Sequence, residues 1–494
     1  MDAAQSEFER RRWVALALVC VAQFMVVLDA SIVNIALPSI KTALDFSQSN
    51  LSWVLNAYVL TFGGFLLLGG RLADLLGRRR VFVSGLILFA VASLAGGLAQ
   101  SESALNAARA VQGLGAAALS PSALSILTTT FRDGAERNRA LGVWGAVAGS
   151  AGAAGVLLGG ILTEYLGWEW VFWVNVPIGV IAAALAPRLV AESRSESMTR
   201  AFDLAGAVSV TAGLSALVFA LVDVTNAGWG STQTIGLLVV SGVLLAVFVA
   251  IERRSEAPLV PFRIFRSRTL TGANVVGVLT GASLFSMFFF ISLYMQEVLG
   301  YSAIHAGLSY LPLALMIILA AGVASQLVTR VGFKPILAVG MALLAVGLVW
   351  FSQVSVGGSF LTDILGPSLV AAVGLGFAFV PQTIAAVSGV ADREAGLASG
   401  LINTSQQVGS ALGLAVLATI ANSRTDSLVA SAGGNPAALP NALTEGFRLA
   451  FLAGAGIAAL GVIATLILIR SRDSRAHVQL GAAQARDGLA HEPA

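Results

Sequence analysis

The stretch from Val81 to Ala99 reads VFVSGLILFAVASLAGGLA and contains no charged residue. A helix rises about 1.5 Å per residue, so a helix of this length spans roughly the 30 Å hydrocarbon core of a bilayer. A transmembrane β-strand would instead be a shorter segment in which apolar and polar residues alternate. The stretch therefore predicts a membrane-spanning helix.

The same pattern extends along the chain. Of its 494 residues, 57% are hydrophobic and only 11% are charged, against about 25% charged residues in soluble domains. Apolar runs bounded by charged residues or by Gly and Pro predict fourteen spans. Their approximate limits are 13–37, 51–70, 81–99, 104–127, 140–161, 170–187, 204–223, 234–251, 270–292, 306–327, 335–352, 362–385, 397–420 and 447–469. We expect an all-α polytopic membrane protein.

The basic residues predict how these spans are oriented. With the N-terminus inside, 25 of the 29 Lys and Arg residues fall in cytoplasmic loops or tails. Cytoplasmic loops collect Lys and Arg, and one missed span would destroy the alternation. The charge pattern therefore predicts 14 transmembrane helices with the N and C termini both cytoplasmic.

Two loop sequences indicate an internal duplication. Residues 70–79 read GRLADLLGRR after the second span, and residues 325–334 read SQLVTRVGFK after the tenth, with Thr329 in the place of Asp74. Both loops join two helices on the cytoplasmic side, as a duplicated bundle requires. We expect a six-helix bundle in 1–187, two extra helices with cytoplasmic linkers in 188–268, a second six-helix bundle in 269–470, and a disordered cytoplasmic tail in 471–494.

Asp29 lies past the middle of the first span, in the stretch LDASIVNIALP of residues 28–38. A charged Asp at the centre of a spanning helix costs about 2.5–3.5 kcal/mol. Asp29 should therefore face a polar cavity or spend much of its time protonated. Proton transfer is the favoured reading, and a structural carboxyl bonded to a neighbouring helix is the alternative.

Arg109 lies about six residues inside the outer end of the fourth span. Its side chain could snorkel to the outer surface. Alternatively, it is a fixed cation that favours the ionised form of a nearby carboxyl, with Gln112 one turn along the same face.

The stretch 28–38, the loop 70–79, the RAVQG stretch of residues 109–113 and the glycine-rich fifth span resemble the fourteen-helix drug:proton antiporters of the major facilitator superfamily. The resemblance implies the major facilitator fold and places Asp29, Arg109 and Gln112 in proton coupling. It further implies a conformational latch in which Asp74, at the end of the second span, meets a helix N-terminus or an Arg across the bundle in the outward-facing state. The latch residues would be Gly70, Asp74, Gly77, Arg78 and Arg79, although a positive-inside anchor is the simpler alternative for this loop.

Two further sets of residues are candidates within the spans. Glycines that recur every three or four residues in the fifth span predict close helix packing, and these are Gly142, Gly145, Gly149, Gly152 and Gly159. Antiporters of this family usually carry Gly-Pro in this motif, whereas Val156 follows Gly155 here. Polar and aromatic residues that could line a substrate cavity are Gln23, Asn34, Trp53, Tyr58, Trp144, Phe288, Tyr294, Gln296, Gln382, Asn403 and Gln406.

These observations predict a proton-coupled exporter of lipophilic drugs, antibiotics or secondary metabolites in the bacterial cytoplasmic membrane, working by alternating access. No phosphate-binding loop and no metal-ligand cluster is present in the sequence, so we expect the proton gradient as energy source, with no cofactor and no metal. The expected partners are a small lipophilic substrate, protons and the lipid bilayer, with no nucleic acid, and the chain is expected to be a monomer. An exporter of a physiological solute such as an amino acid, a siderophore or a lipid is the nearest alternative, and a non-transporting membrane sensor is a more distant one.

Overall fold

The computed structural model describes residues 2–46, 51, 53–131, 134–193, 203–255, 258–391, 394–433 and 435–479, with the backbone alone for 2–9, 153, 225, 226, 303 and 436. Throughout these ranges the regular secondary structure is helical. Helix contacts divide the chain into two units, the first comprising Met1–Arg132, Leu158–Ser267 and Gly389–Thr404, and the second comprising Asp133–Leu157, Arg268–Ser388 and Ser405–Ala494. Each unit has its own core.

Unit 1 holds the first four long helices and the two extra helices. Its elements are α1 (Asp2–Ala43), α2 (Trp53–Leu76), α3 (Arg78–Gly97), α4 (Glu102–Thr130), the end of α5 (Ala135–Tyr165), α6 (Trp170–Trp173), α7 (Asn175–Leu189), α8 (Leu204–Ala227), α9 (Thr232–Glu252) and the start of α15 (Ala395–Ser431). Hydroxyl and carboxyl side chains cap several of these helices, because the first N–H groups of a helix lack partners inside it. Asp203 accepts a hydrogen bond from the Gly206 N–H at 2.7 Å, and Ser231 accepts one from the Thr234 N–H at 3.1 Å.

The two extra helices, α8 and α9, pack within unit 1. The Phe219 ring of α8 lies 5.4 Å from the Trp53 ring at the start of α2. The Ser241 hydroxyl of α9 donates to the Gly213 carbonyl of α8 at 2.9 Å. The pair is therefore attached to the unit through α8.

Unit 2 contains the second set of long helices. Its elements are the start of α5, α10 (Arg268–Leu293), α11 (Ala303–Ser309), α12 (Leu311–Val331), α13 (Phe333–Phe351), α14 (Leu365–Val387), the remainder of α15 and α16 (Leu439–Leu468). Helices α13 and α14 cross closely at glycines: a Cβ atom on Gly340 would lie 2.5 Å from the Phe377 carbonyl carbon. The rings of Phe351 and Phe451 stack at 5.3 Å between α13 and α16.

Twelve helices in the described residues are long and apolar enough to cross a membrane. A thirteenth span is α5 if its two parts count together, since the helix bends by 42° between Gly152 and Ala154. Helix α15 has 37 residues, but polar side chains such as Asn403 and Gln406 lower its hydropathy. Length and composition thus support twelve or thirteen spans, one or two fewer than the charge pattern predicts.

The predicted glycine stripe packs at four of its five positions. In unit 2, Cβ atoms on Gly142, Gly145 and Gly149 would lie 2.6–2.9 Å from side-chain atoms of neighbouring helices, and in unit 1 a Cβ on Gly159 would lie 2.8 Å from the Ile32 carbonyl oxygen. Gly152 is the exception, because no such atom lies within 4 Å of its Cβ position. Gly152 instead borders the bend of α5, where a residue without a side chain tolerates the distortion.

The predicted disorder of the tail is wrong for its first part. Residues 471–479 form a helix in which Ser474 and His477 are buried within unit 2. Side-chain hydrogen bonds, described below, hold this tail helix to unit 2, and composition gave no sign of them. Residues 480–494 lie outside the described part of the chain.

Candidate functional site

A cluster of buried polar side chains surrounds Asp29 in unit 1. The Arg109 Nη1 donates to one carboxylate oxygen of Asp29 at 2.5 Å. The other oxygen accepts hydrogen bonds from the amides of Gln112 at 2.6 Å and Asn175 at 3.0 Å. Because all four residues are fully buried, charge balance and these hydrogen bonds replace the hydration that the carboxylate would have in water.

Helix geometry explains why two cluster members lie side by side on α4. Arg109 and Gln112 are three residues apart and therefore share a face, and the Arg109 Nη1 also donates to the Gln112 Oε1 at 2.7 Å. The Arg109 Nε donates to the Val54 carbonyl of α2 at 2.8 Å. The guanidinium thus points into the bundle, and the alternative that Arg109 snorkels to the outer surface is wrong.

Tyr58 belongs to this cluster, although the sequence placed it among the candidate substrate contacts. Its ring centroid lies 4.4 Å from the Arg109 Cζ, a cation–π contact. Its hydroxyl donates to the Val26 carbonyl of α1 at 3.2 Å. Both the ring and the hydroxyl are therefore engaged within unit 1.

The cluster contains a donor and an acceptor that are not used. Among the described residues, no hydrogen-bond partner is found for the Arg109 Nη2 or for the Asn175 Oδ1, and both atoms are buried. A buried polar atom without a partner costs about 1–3 kcal/mol. In this arrangement the hydrogen-bonding capacity of the cluster is therefore not fully used.

A second buried carboxylate, Asp74, lies near the end of α2. Its Oδ1 accepts from the Gly396 N–H and its Oδ2 accepts from the Leu397 N–H, both at 3.0 Å, at the start of α15. Arg78 Nη2, at the start of α3, also donates to Asp74 Oδ1 at 3.0 Å. An anion at a helix N-terminus is stabilised by the free N–H groups and by the helix dipole. Asp74 thus meets both a helix N-terminus and an arginine, and that arginine lies only four residues further along the chain.

The remaining residues of the predicted latch surround Asp74. A Cβ on Gly70 would lie 2.5 Å from the Gly396 carbonyl oxygen, so glycine permits α2 and α15 to approach closely. Gly77 has φ +111°, which favours glycine. The next two residues bond to the segment after α7: the Arg78 N–H donates to the Ser193 carbonyl at 3.0 Å, and the Arg79 N–H to Glu192 Oε1 at 3.2 Å.

The candidate substrate contacts in unit 1 differ in their surroundings. Gln23 is buried and accepts from the Ser120 hydroxyl at 2.9 Å. Asn34 is exposed and donates to the Ala30 carbonyl of its own helix at 3.1 Å. Trp53 packs against Phe219, and Asn403 donates to the Ser399 carbonyl at 2.9 Å.

Unit 2 holds the other candidates. The Tyr294 hydroxyl donates to Asp363 at 2.9 Å and lies 2.7 Å from the Ser355 carbonyl, so it joins two helix ends. The Phe288 ring stacks on Tyr310 at 5.4 Å, and the Gln296 amide donates to the Ser292 hydroxyl at 2.8 Å. Trp144 is buried and Gln406 is partly exposed.

Gln382 stands out among the residues of unit 2. Its side chain is fully buried in α14, and neither its Nε2 nor its Oε1 has a hydrogen-bond partner among the described residues. A buried amide normally has partners for both groups. Gln382 is therefore the candidate whose polar atoms are least accounted for by the fold.

Sequence reasoning missed several residues of the two clusters. Asn175 and Ser93, which accepts from Gln112 Nε2 at 2.8 Å, belong to the Asp29 cluster. Both are isolated polar residues in apolar spans, and this signal was available in the sequence. Glu192, an acidic residue in the arginine-rich segment that follows the sixth predicted span, was the corresponding signal beside the latch. The backbone N–H groups that Asp74 binds carry no side-chain signature.

Comparisons with known proteins agree with this architecture. The model of the Major Facilitator Superfamily matches residues 19–414. The cephamycin export protein CmcT of Amycolatopsis lactamdurans is 44% identical over 436 residues, which are 88% of each chain. The puromycin resistance protein pur8 of Streptomyces alboniger is 38% identical over 469 residues, covering 94% of this chain and 93% of that protein.

Two solved structures share the fold. The proton:xylose symporter XylE has a TM-score of 0.66 at 12% identity, covering 94% of this chain and 96% of that one. The human organic anion transporter MFSD10 has a TM-score of 0.61 at 15% identity, covering 92% of this chain and 99% of that one.

The chain belongs to the major facilitator superfamily, and this membership supports a transporter rather than an enzyme. The resemblance noted in the sequence is thereby confirmed. The relatives include antibiotic export and antibiotic resistance proteins.

Proposed function

We propose that this protein is a proton-coupled antiporter that exports lipophilic antibiotics or related secondary metabolites across the bacterial cytoplasmic membrane. The observation that carries the proposal is the buried Asp29–Arg109 pair with its two amide donors. Export of antibiotics is favoured by the names of relatives that are 35–44% identical to this chain.

The pair provides a carboxyl whose proton binding is tied to the position of a cation. When Arg109 donates to Asp29, the ionised carboxylate is favoured; when they separate, the carboxyl is left in apolar surroundings that favour its protonated form. Arg109 Nη2 and Asn175 Oδ1, which have no hydrogen-bond partner among the described residues, would be available to form hydrogen bonds in a second arrangement. Proton uptake from outside and release inside would then accompany the change between the two.

The energy of one proton is sufficient for useful export. A charge that crosses a membrane potential of 100 mV releases about 2.3 kcal/mol. This free energy corresponds to a concentration ratio approaching about fifty for a neutral substrate. The proton gradient is thus the proposed energy source, with no cofactor.

In this proposal the Asp74 cluster acts as a gate. Its three hydrogen bonds connect the end of α2 to the starts of α3 and α15. These bonds would form in one transport state and break in the other, so Asp74 would control the rate of interconversion and not the substrate affinity. Gly70, Gly77, Arg78 and Arg79 would shape this gate.

The proposed substrate contacts are aromatic rings and amides rather than carboxylates, which suits neutral or weakly charged lipophilic compounds. Gln382 is the foremost of them, because its amide has both a donor and an acceptor to offer.

The proposed topology has fourteen spans with both termini in the cytoplasm. It counts the bent α5 and the long α15 in addition to the twelve helices of sufficient length and hydropathy. The chain would work as a monomer, in agreement with the superfamily, whose alternating access takes place between the halves of one chain.

The test uses purified protein reconstituted in liposomes in the inside-out orientation. Puromycin, or a cephamycin, is added outside the liposomes. An acid interior should drive uptake of the drug, and an uncoupler should abolish it. A potential set by potassium and valinomycin separates the electrical from the chemical driving force. Uptake that continues unchanged in the presence of the uncoupler would refute proton coupling, and uptake of amino acids or siderophores alone would favour a physiological exporter.

A further inference from the structure

Both loops of the duplicated sequence contain a glycine with a positive φ between two helices. Gly77 separates α2 from α3 with φ +111°, and Gly332 separates α12 from α13 with φ +87°. A positive φ lets the chain end one helix and begin the next without an intervening loop. In each case the first N–H groups of the second helix then need acceptors from elsewhere.

In unit 1 those acceptors come from the segment that follows the sixth span. The Ser193 carbonyl accepts from the Arg78 N–H, and Glu192 accepts from the Arg79 N–H. Glu192 also lies 3.6 Å from Arg79 Nε and 3.7 Å from Arg80 Nε. A segment outside the spans therefore holds the start of α3 in place.

In unit 2 the tail helix takes this position. The Ser474 hydroxyl accepts from the Lys334 N–H at 3.2 Å, two residues after Gly332, as Arg79 is two residues after Gly77. Asp473, next to Ser474, accepts from the Thr269 hydroxyl at 2.5 Å at the start of α10. A Cβ on Gly332 would lie 2.8 Å from the Ser474 carbonyl oxygen, so the tail helix lies directly against the loop.

The difference between the two loops lies at the position of Asp74. Its counterpart Thr329 is neutral and accepts a single hydrogen bond, from the Asn138 Nδ2 in the first turn of α5, at 3.0 Å. With Nδ2 used in this way, Asn138 presents its Oδ1, and the His477 Nε2 of the tail helix lies 3.1 Å from that oxygen. His477 therefore donates to Asn138, and both side chains are buried.

From this geometry we infer that the tail helix, through His477 and Ser474, is a working part of the unit-2 junction between α5, α12 and α13. His477 is a positioning residue, because it orients the Asn138 amide toward Thr329. The resulting contact between Thr329 and the first turn of α5 corresponds to the contact between Asp74 and the start of α15 in unit 1. Opening of this junction then requires the tail helix to release Asn138, and the tail sets the rate of the conformational cycle. This inference rests on the proposed transport function for its effect on turnover, but not for the contact itself.

Hydrogen–deuterium exchange of the purified full-length protein tests the contact without any transport. The His477→Ala variant should exchange the amides of residues 329–338 several-fold faster than the wild type. His477→Gln, which keeps a donor for Asn138, should restore most of the protection. His305→Ala is the matched control, because His305 is exposed and stacks on Tyr301 elsewhere in unit 2, and it should leave these amides unchanged.

Transport by the same variants tests the role in gating. His477→Ala should change the maximal rate of puromycin uptake at least threefold with KM within twofold of the wild type, and His477→Gln should return the rate toward the wild-type value. Equal exchange in His477→Ala and wild type would overturn the contact, and an unchanged maximal rate would overturn its role in gating. If the wild-type protein shows no proton-driven uptake at all, the proposed function fails while the exchange result still decides the contact.

Discussion

The Asn175 amide lies 3.0 Å from the same carboxylate oxygen of Asp29 that the Gln112 amide reaches at 2.6 Å. The two donors come from different helices, α7 and α4, and Arg109 binds the other oxygen. An ionised carboxylate accepts hydrogen bonds more strongly than a protonated one. Asn175 therefore helps to hold the Asp29 carboxylate, and its position on α7 joins a third helix to the α1–α4 pair.

Replacement of this amide should impair coupling. Asn175→Ala removes a hydrogen bond to a charged group, which is worth about 1.5–3 kcal/mol, and the proton-driven initial rate of drug uptake should fall about tenfold or more. Uptake into liposomes with an imposed pH gradient measures this rate. Gln233→Ala is the matched control, because the Gln233 amide is exposed and donates to Asp223, outside the Asp29 cluster, and its rate should stay near that of the wild type. Equal rates for the two variants would remove Asn175 from the coupling cluster.

The buried ion pair predicts different outcomes for a single and a double substitution. Asp29→Asn should abolish uphill drug export and also lower the melting temperature, because an unpaired buried Arg109 costs about 3–5 kcal/mol. The double variant Asp29→Asn with Arg109→Gln removes both charges and should recover much of the stability without recovering export. Melting curves of purified protein and drug resistance of whole cells give the two readouts. Uphill export by the neutral double variant would contradict the assignment of Asp29 as the proton carrier.

Asp74 should affect turnover and leave affinity almost unchanged. Asp74→Asn keeps the shape of the side chain but loses the charge and one of the two acceptors that meet the Gly396 and Leu397 N–H groups. The maximal uptake rate should fall about tenfold, the equivalent of about 1.4 kcal/mol, with KM within about twofold. Asp223→Asn serves as the control, since that carboxylate bonds to the exposed Gln233. A loss of affinity comparable to the loss in rate would argue against a gate.

A substitution of Gln382 should affect the melting temperature and the drug affinity in different ways. Gln382→Leu replaces a buried amide that has no partner among the described residues with an apolar side chain of similar size. Such a replacement leaves no hydrogen bond broken and should keep the melting temperature equal or raise it. Drug affinity should nevertheless fall, because the ligand loses a donor and an acceptor. Gln353→Leu, at an exposed turn after α13, is the control for added hydrophobicity; an affinity unchanged in Gln382→Leu would exclude this contact.

Much of the architecture could be predicted because hydrocarbon imposes a simple rule on sequence. A span needs about 20 apolar residues, so helices such as α3 and α9 could be located from composition alone. The predicted spans 397–420 and 140–161 also coincide with helices, α15 and α5. These two are the ones whose count as spans differs, because Asn403 and Gln406 lower the hydropathy of α15 and because a bend at Gly152 divides α5 into two parts.

The site was predictable where a polar residue stands alone in an apolar span, as Asp29 and Arg109 do. Their pairing was not, because a helix sequence states which face a side chain occupies but not which helix lies opposite. The partners of Asp74 illustrate the same limit, since they are backbone N–H groups more than three hundred residues away in sequence. Tyr58 was assigned to the substrate because an aromatic residue gives no sequence signal that separates a cation–π contact from a cavity wall.

Because Asp74 accepts hydrogen bonds from backbone N–H groups, it constrains the amino acids at positions 396 and 397 in different ways. Every amino acid except proline carries the N–H that the carboxylate binds at position 397, so this hydrogen bond does not depend on the chemistry of the buried Leu397 side chain. Position 396, in contrast, requires glycine, because a Cβ there would lie 2.7 Å from the Asp74 Cγ. The hydrogen bonds between α2 and α15 thus depend on Asp74 and on two glycines, Gly70 and Gly396, and on none of the side chains proposed to contact cargo.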